Sequence, residues 1–70
     1  SRVVFDVAVS YREDVDRVIR VLTELAAELR QDETFGRLIL EDATMQGVDR
    51  LADSAVIIRL LIKTRPLQQW

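Results

Sequence analysis

Glu41 and Asp42 are adjacent carboxylates, and Glu13, Asp14 and Asp16 form an acidic cluster; these are the first places to look for acid–base or metal chemistry. A general acid/base pair needs a cleft that drives two pKa values apart. Neighbouring residues in a loop face water instead, so Glu41 and Asp42 read as solvated charges. A calcium loop needs regularly spaced oxygen ligands, a central glycine and a closing glutamate. The 13–16 cluster lacks that pattern, and an acidic first turn of a helix accounts for it. Ser10 and Ser54 have no histidine to activate them, because the chain contains none. It contains no cysteine either, which removes disulfides, thiolate nucleophiles and thiolate-bound metals. Gly36 and Gly47 stand apart, without the Gly-rich, Lys- and Ser/Thr-bearing loop that cradles phosphate. Arg59 and Lys63 share one face of a strand, where an anion would be welcome, yet such residues more often form a solvated face or guard a sheet edge. The residue types therefore predict no catalytic, cofactor-binding or metal site.

The elements that hold these residues must come from 70 residues, enough for one domain. A chain of this size buries only roughly 60% of its extended surface, so its core is marginal. Hydrophobic residues make up 49% of it and are aliphatic rather than aromatic, with Phe5, Tyr11, Phe35 and Trp70 as the rings. That composition builds a two-layer core and leaves little for stacking bases. The net charge is −2 with both signs interspersed, so no basic stripe for nucleic acid is present in the sequence. Apolar runs are a few residues long, far short of the ~20 that span a bilayer, so this stretch does not itself insert into a membrane.

Residues 2–10 alternate with period two. Val3, Phe5, Val7 and Val9 form an apolar side, and Val4, Asp6, Ala8 and Ser10 a mixed one, which predicts a strand with Asp6 on an open sheet face. From Tyr11 the period changes. Val15, Val18, Ile19, Leu22, Leu25, Ala26 and Leu29 make one helical stripe, predicting a helix over 13–31. Glu13, Asp14 and Asp16 suit its positive N-terminal end, and Glu13–Arg17 and Asp16–Arg20 are expected i,i+4 pairs on its wet face. Residues 34–37 read as a turn, and residues 38–43 as a short extended or irregular link. Residues 44–50 are a weak strand in which Gly47 marks a bulge or close approach, residues 51–54 a turn, and residues 55–64 the strongest strand. In that strand Val56, Ile58, Leu60 and Ile62 face one way, and Ile57, Arg59, Leu61 and Lys63 the other. The two late strands predict a hairpin. Pro66 stops the second and suits the first position of a new helix. The expected fold is α+β: a ferredoxin-like split β-α-β in a two-layer sandwich, incomplete, with β-α-β-β and the start of a second helix at 66–70. Apolar surface left uncovered by such a piece predicts self-association.

The segments RVVFDVAVSYREDVDRV and GVDRLADSAVIIRLLIKTRPLQQW resemble the C-terminal cytoplasmic domain of small-conductance mechanosensitive (MscS-like) channels. The likeness runs through the first strand, the Tyr11 turn, the acidic helix start, Gly47-Val48-Asp49, Leu51-Ala52-Asp53-Ser54, and the last strand into Lys63-Thr64-Arg65-Pro66 and Gln68-Gln69-Trp70. Residues 31–43 diverge, where the family varies in length. The resemblance implies that 1–70 is a single partial C-terminal domain whose parent is a multi-pass protein of a bacterial-type cell membrane. It implies heptameric self-association and contacts with other domains of the same chain. The domain would lie on the cytoplasmic side as part of the wall of a vestibule leading to a tension-gated pore, with no cofactor and no enzymatic activity. On that reading Asp6, Arg59, Lys63 and Trp70 are the candidate interface or lumen-facing residues. The competing expectation is a ferredoxin-like regulatory or interaction domain of a soluble protein, since this architecture serves unrelated functions.

Overall fold

The structure is a computed structural model that describes residues 1–66. Three strands and one long helix appear in the order β1 (Arg2–Val9), α1 (Val15–Gln31), β2 (Thr44–Leu51) and β3 (Val56–Lys63), with a 3-10 turn at Gly36–Leu38. The strands form one antiparallel sheet in the order β1-β3-β2. This is the β-α-β-β arrangement with an open sheet that fits a ferredoxin-like α+β fold. The helix stub expected at 66–70 falls almost wholly outside the described residues.

The strand richest in aliphatics takes the centre. Val56, Ile57, Ile58, Leu60 and Ile62 of β3 are buried, and Ile58 is sealed completely. Ile57 belongs to the face away from the helix, but Ala8 and Arg50 flank it in register. On the other face, Val9, Val56 and Ile58 form the core, packed by Val7, Val15, Val18, Ile19, Leu22 and Met45. An amphipathic helix on one face of a short sheet buries both apolar stripes at once.

The helix begins two residues later than its acidic cluster suggests. Ser10 holds the chain in a turn first: its carbonyl accepts the Glu13 N–H at 3.0 Å, and its Oγ accepts the Arg12 N–H at 3.2 Å. Asp14 is then the N-cap, its carboxylate accepting the Arg17 N–H at 3.2 Å, which satisfies a backbone donor that has no partner within the helix. Neither Glu13–Arg17 nor Asp16–Arg20 is among the ion pairs formed by the described residues.

After the helix, Asp32 builds the turn. Its carboxylate accepts the N–H groups of Thr34 and Phe35, each at 2.9 Å, and its carbonyl accepts that of Gly36 at 2.9 Å. The chain doubles back so tightly that a Cβ on Gly36 would sit 2.2 Å from the Arg30 carbonyl oxygen. The link beyond it is extended: Ile39 bridges Thr64, and Leu40 donates to the Lys63 carbonyl at 3.0 Å. Gly47 does mark an irregularity, with φ +82 and a register shift beside it; a second shift follows between Val48 and Arg50. None of the described helices is long and apolar enough to cross a membrane.

A charged cluster on the open sheet face

The strand alternation that sends Val7 and Ile58 toward the helix sends Asp6 and Arg59 to the opposite face. The β1–β3 register sets Asp6 directly across from Arg59. The guanidinium donates twice to the one carboxylate, Nε to Oδ1 at 2.8 Å and Nη2 to Oδ2 at 3.0 Å. This is the fork-to-fork geometry that gives Arg–carboxylate pairs their directional specificity. Its third nitrogen, Nη1, lies 3.3 Å from Asp49 Oδ1, and the other oxygen of Asp49 lies 3.5 Å from Arg50 Nη1. Asp49 follows Gly47, the partner of Arg59, by two residues, and the register shift between Val48 and Arg50 pairs Arg50 with Ile57 on the same face, because a bulge adds a residue to one strand and re-aims the side chains beyond it.

The cluster is closed on itself. Two carboxylates face two guanidiniums. The hydrogen bond from Arg59 holds the Asp6 carboxyl below its usual range; desolvation opposes this, and the charges of Arg59 and Arg50 add to it. The same bond from the other side raises Arg59, against desolvation and with help from the charges of Asp49 and Asp6. A depressed carboxylate locked to an arginine is a poor general acid or base at neutral pH. Such a cluster aligns strands and sets a local field rather than moving protons.

Of the sequence candidates, the structure joins Asp6 and Arg59 and leaves Lys63 apart. Lys63 is exposed at the end of β3, opposite Arg2, a second cation. Trp70 lies outside the described residues. Asp49 and Arg50 are members that sequence reasoning missed, because two register shifts in β2 break the alternation. Glu41 and Asp42 do not act together: Asp42 pairs with Arg30 of α1. That pair stands at the mouth of a cavity of about 290 Å³ floored by Ala26, Ile39, Met45 and Leu60. Tyr11, in the loop before α1, donates its hydroxyl to the Ala52 carbonyl in the β2–β3 turn and so ties the helix entry to the hairpin. Among the described residues no group of three or more His, Cys, Asp or Glu side chains is placed to hold a metal.

Residues 3–70 match the family described as the mechanosensitive ion channel MscS, C-terminal. The chain is 31% identical over 67 residues to a small-conductance mechanosensitive channel of Caldanaerobacter subterraneus subsp. tengcongensis, covering 96% of this chain and 23% of that protein. It is 32% identical over 68 residues to the moderate conductance mechanosensitive channel YbiO of Escherichia coli K12, covering 97% of this chain and 9% of that protein. The chain thus spans under a quarter of the length of either relative.

Proposed function

The chain belongs to the MscS-type mechanosensitive channel family, as its C-terminal domain, and from that membership we propose that it forms part of the wall of a cytoplasmic vestibule through which ions reach a tension-gated pore. The domain is structural rather than catalytic. The observation that carries the reading is the match across residues 3–70, which takes in every element of the fold. The parent is a membrane channel in which this domain stands on the cytoplasmic side, and seven copies close into a ring around the vestibule.

The surface supports an assembly role. Leu51, Tyr11 and Val48 are 70%, 50% and 47% exposed at the β2 side of the domain, and exposed apolar groups gathered in one place mark contact surfaces. The open face carrying Asp6, Arg59 and Lys63 meets a neighbouring subunit or the aqueous lumen. Its balanced charges would tune local ion concentration only weakly. Arg59→Glu in the full channel places a carboxylate between Asp6 and Asp49. It is expected to shift the reversal potential in asymmetric salt, or to weaken assembly, by a modest amount. Unchanged reversal potential together with unchanged oligomer size would remove this face from the account.

A further inference from the structure

Helix α1 meets the two sides of the sheet with side chains of different length. Leu22, Leu25 and Leu29 lean toward β1. The next face round carries Thr23, Ala26, Ala27 and Arg30 at helical spacing, and these form one wall of the cavity of about 290 Å³ on the β2 side. Short side chains leave a gap between that wall and the buried Ile39, Leu60 and Ile62 beneath it. Ile39 bridges Thr64, and the Leu40 N–H donates to the Lys63 carbonyl at 3.0 Å, so the link after α1 is held against β3 and the space stays open. Protein interiors leave few voids larger than a water molecule, and a preformed apolar hollow with a few polar groups at its mouth is the usual form of a small-molecule site.

The polar groups here are few. The Thr23 hydroxyl donates to the Ile19 carbonyl at 2.8 Å. Among the described residues that line the cavity, Arg30 and Asp42 alone carry charge, and they pair across its mouth. The partners are unequal: the Arg30 side chain is 36% exposed and that of Asp42 91%. The guanidinium therefore belongs to the cavity, while the carboxylate stands out in water. An ion pair so open to solvent is weakly held, and a second carboxylate can take the place of Asp42.

We infer that this cavity binds a short aliphatic monocarboxylate, with its carboxylate on Arg30 and its chain running along Ala26 toward Leu60 and Ile62. The guanidinium fork matches a carboxylate, and the alkyl chain gains by leaving water. An amine would be drawn to Asp42 and so held outside the hollow. The volume of about 290 Å³ stands at the lower end of small-molecule sites, about 300–1,000 Å³, which selects a short chain.

Octanoate is the probe, titrated into the chain while amide signals are followed by proton–nitrogen NMR. Saturable shifts are expected at Ala26, Ala27, Ala43 and Met45, with Asp6 and Arg59 on the opposite face unmoved. Octanol, which lacks the charge, should bind about tenfold more weakly. Arg30→Gln should weaken octanoate about tenfold and leave octanol unaffected. Asp42→Asn removes the competing carboxylate and should tighten octanoate a few-fold. These opposite signs distinguish binding from a purely structural role, since a pair that only latched the link to α1 would lose affinity in both variants. Ala26→Leu fills the hollow and should abolish binding; if circular dichroism shows that it unfolds, the two surface variants carry the test. No saturable shift, shifts centred on Phe5 and Leu25 instead, equal affinity for octanol, or weaker binding in both Arg30→Gln and Asp42→Asn overturns the proposal.

Discussion

The two ends of the helix–sheet interface are built from the same kinds of residue and finish differently. Near the entry of α1, Val9, Val56 and Ile58 are buried under Val15, Val18, Ile19 and Leu22. Toward its exit, Val3, Phe5 and Leu25 belong to the same stripes and remain between 39% and 53% exposed. The difference lies in tethering and cover. Tyr11 ties the entry loop to the hairpin turn, so the helix is pinned where the core is dense. At the other end the chain reverses through the Gly36 turn, and among the described residues Val3 and Phe5 of β1 stay partly open. One helix is too narrow to cover three strands, and the part it covers least lies along β1.

The largest expected effect tests the dense end. Ile58→Ala removes the completely buried side chain and should cost about 2–5 kcal/mol, read as a lower denaturant midpoint in urea unfolding. Phe5→Ala should cost less, because Phe5 is 45% exposed, and the gap between the two midpoints reads the contrast directly. Equal losses would erase the contrast between the ends.

The glycines sharpen it next, because they fail for different reasons. Gly36→Ala drives a methyl group into the Arg30 carbonyl and should cost roughly 1–3 kcal/mol as backbone and turn shift. Gly47→Ala meets no atom within 4 Å but must hold φ +82, which costs about 1–2 kcal/mol. The first should loosen the helix exit and the second the β2 edge, distinguishable by hydrogen exchange in the two segments.

The smallest effect belongs to the open face. The folded Asp6 carboxyl titrates below its usual value of 3.8. Its contribution to stability is therefore fully present above that value and is lost as pH falls through the lower folded one. Solvent screens the pair, so the change is slight. Asp6→Asn should flatten the acid limb of the stability–pH curve, and an unchanged limb would mean that the Asp6–Arg59 pair contributes nothing to folding.

Much of this was legible in residue order. Period two in 2–10 and 55–64 placed Asp6 and Arg59 on faces away from the apolar stripes, and the change to a helical period at Tyr11 marked α1. Alternation alone does not set register, however, so the direct opposition of Asp6 and Arg59 appears only once β1 and β3 pair. Asp49 and Arg50 escaped notice for a related reason: Gly47 announced one irregularity of β2, but the second shift, between Val48 and Arg50, has no residue type that betrays it. The expected pairs Glu13–Arg17 and Asp16–Arg20 are not among the ion pairs of the described residues; Glu13 falls before the Asp14 cap and so outside the helix, while nothing in the structure explains why Asp16 and Arg20, both within α1, stay apart. Exposure of Phe5 was also illegible, since a stripe shows which side is apolar and not how far a helix extends over it.

The measurement that bears most directly on the account is a patch-clamp recording from the full-length parent protein under graded membrane tension. A structural wall domain of an MscS-type channel predicts currents that open with tension, with gating retained and ion preference modestly changed in Arg59→Glu. A membrane-inserted parent that passes no tension-activated current would contradict it.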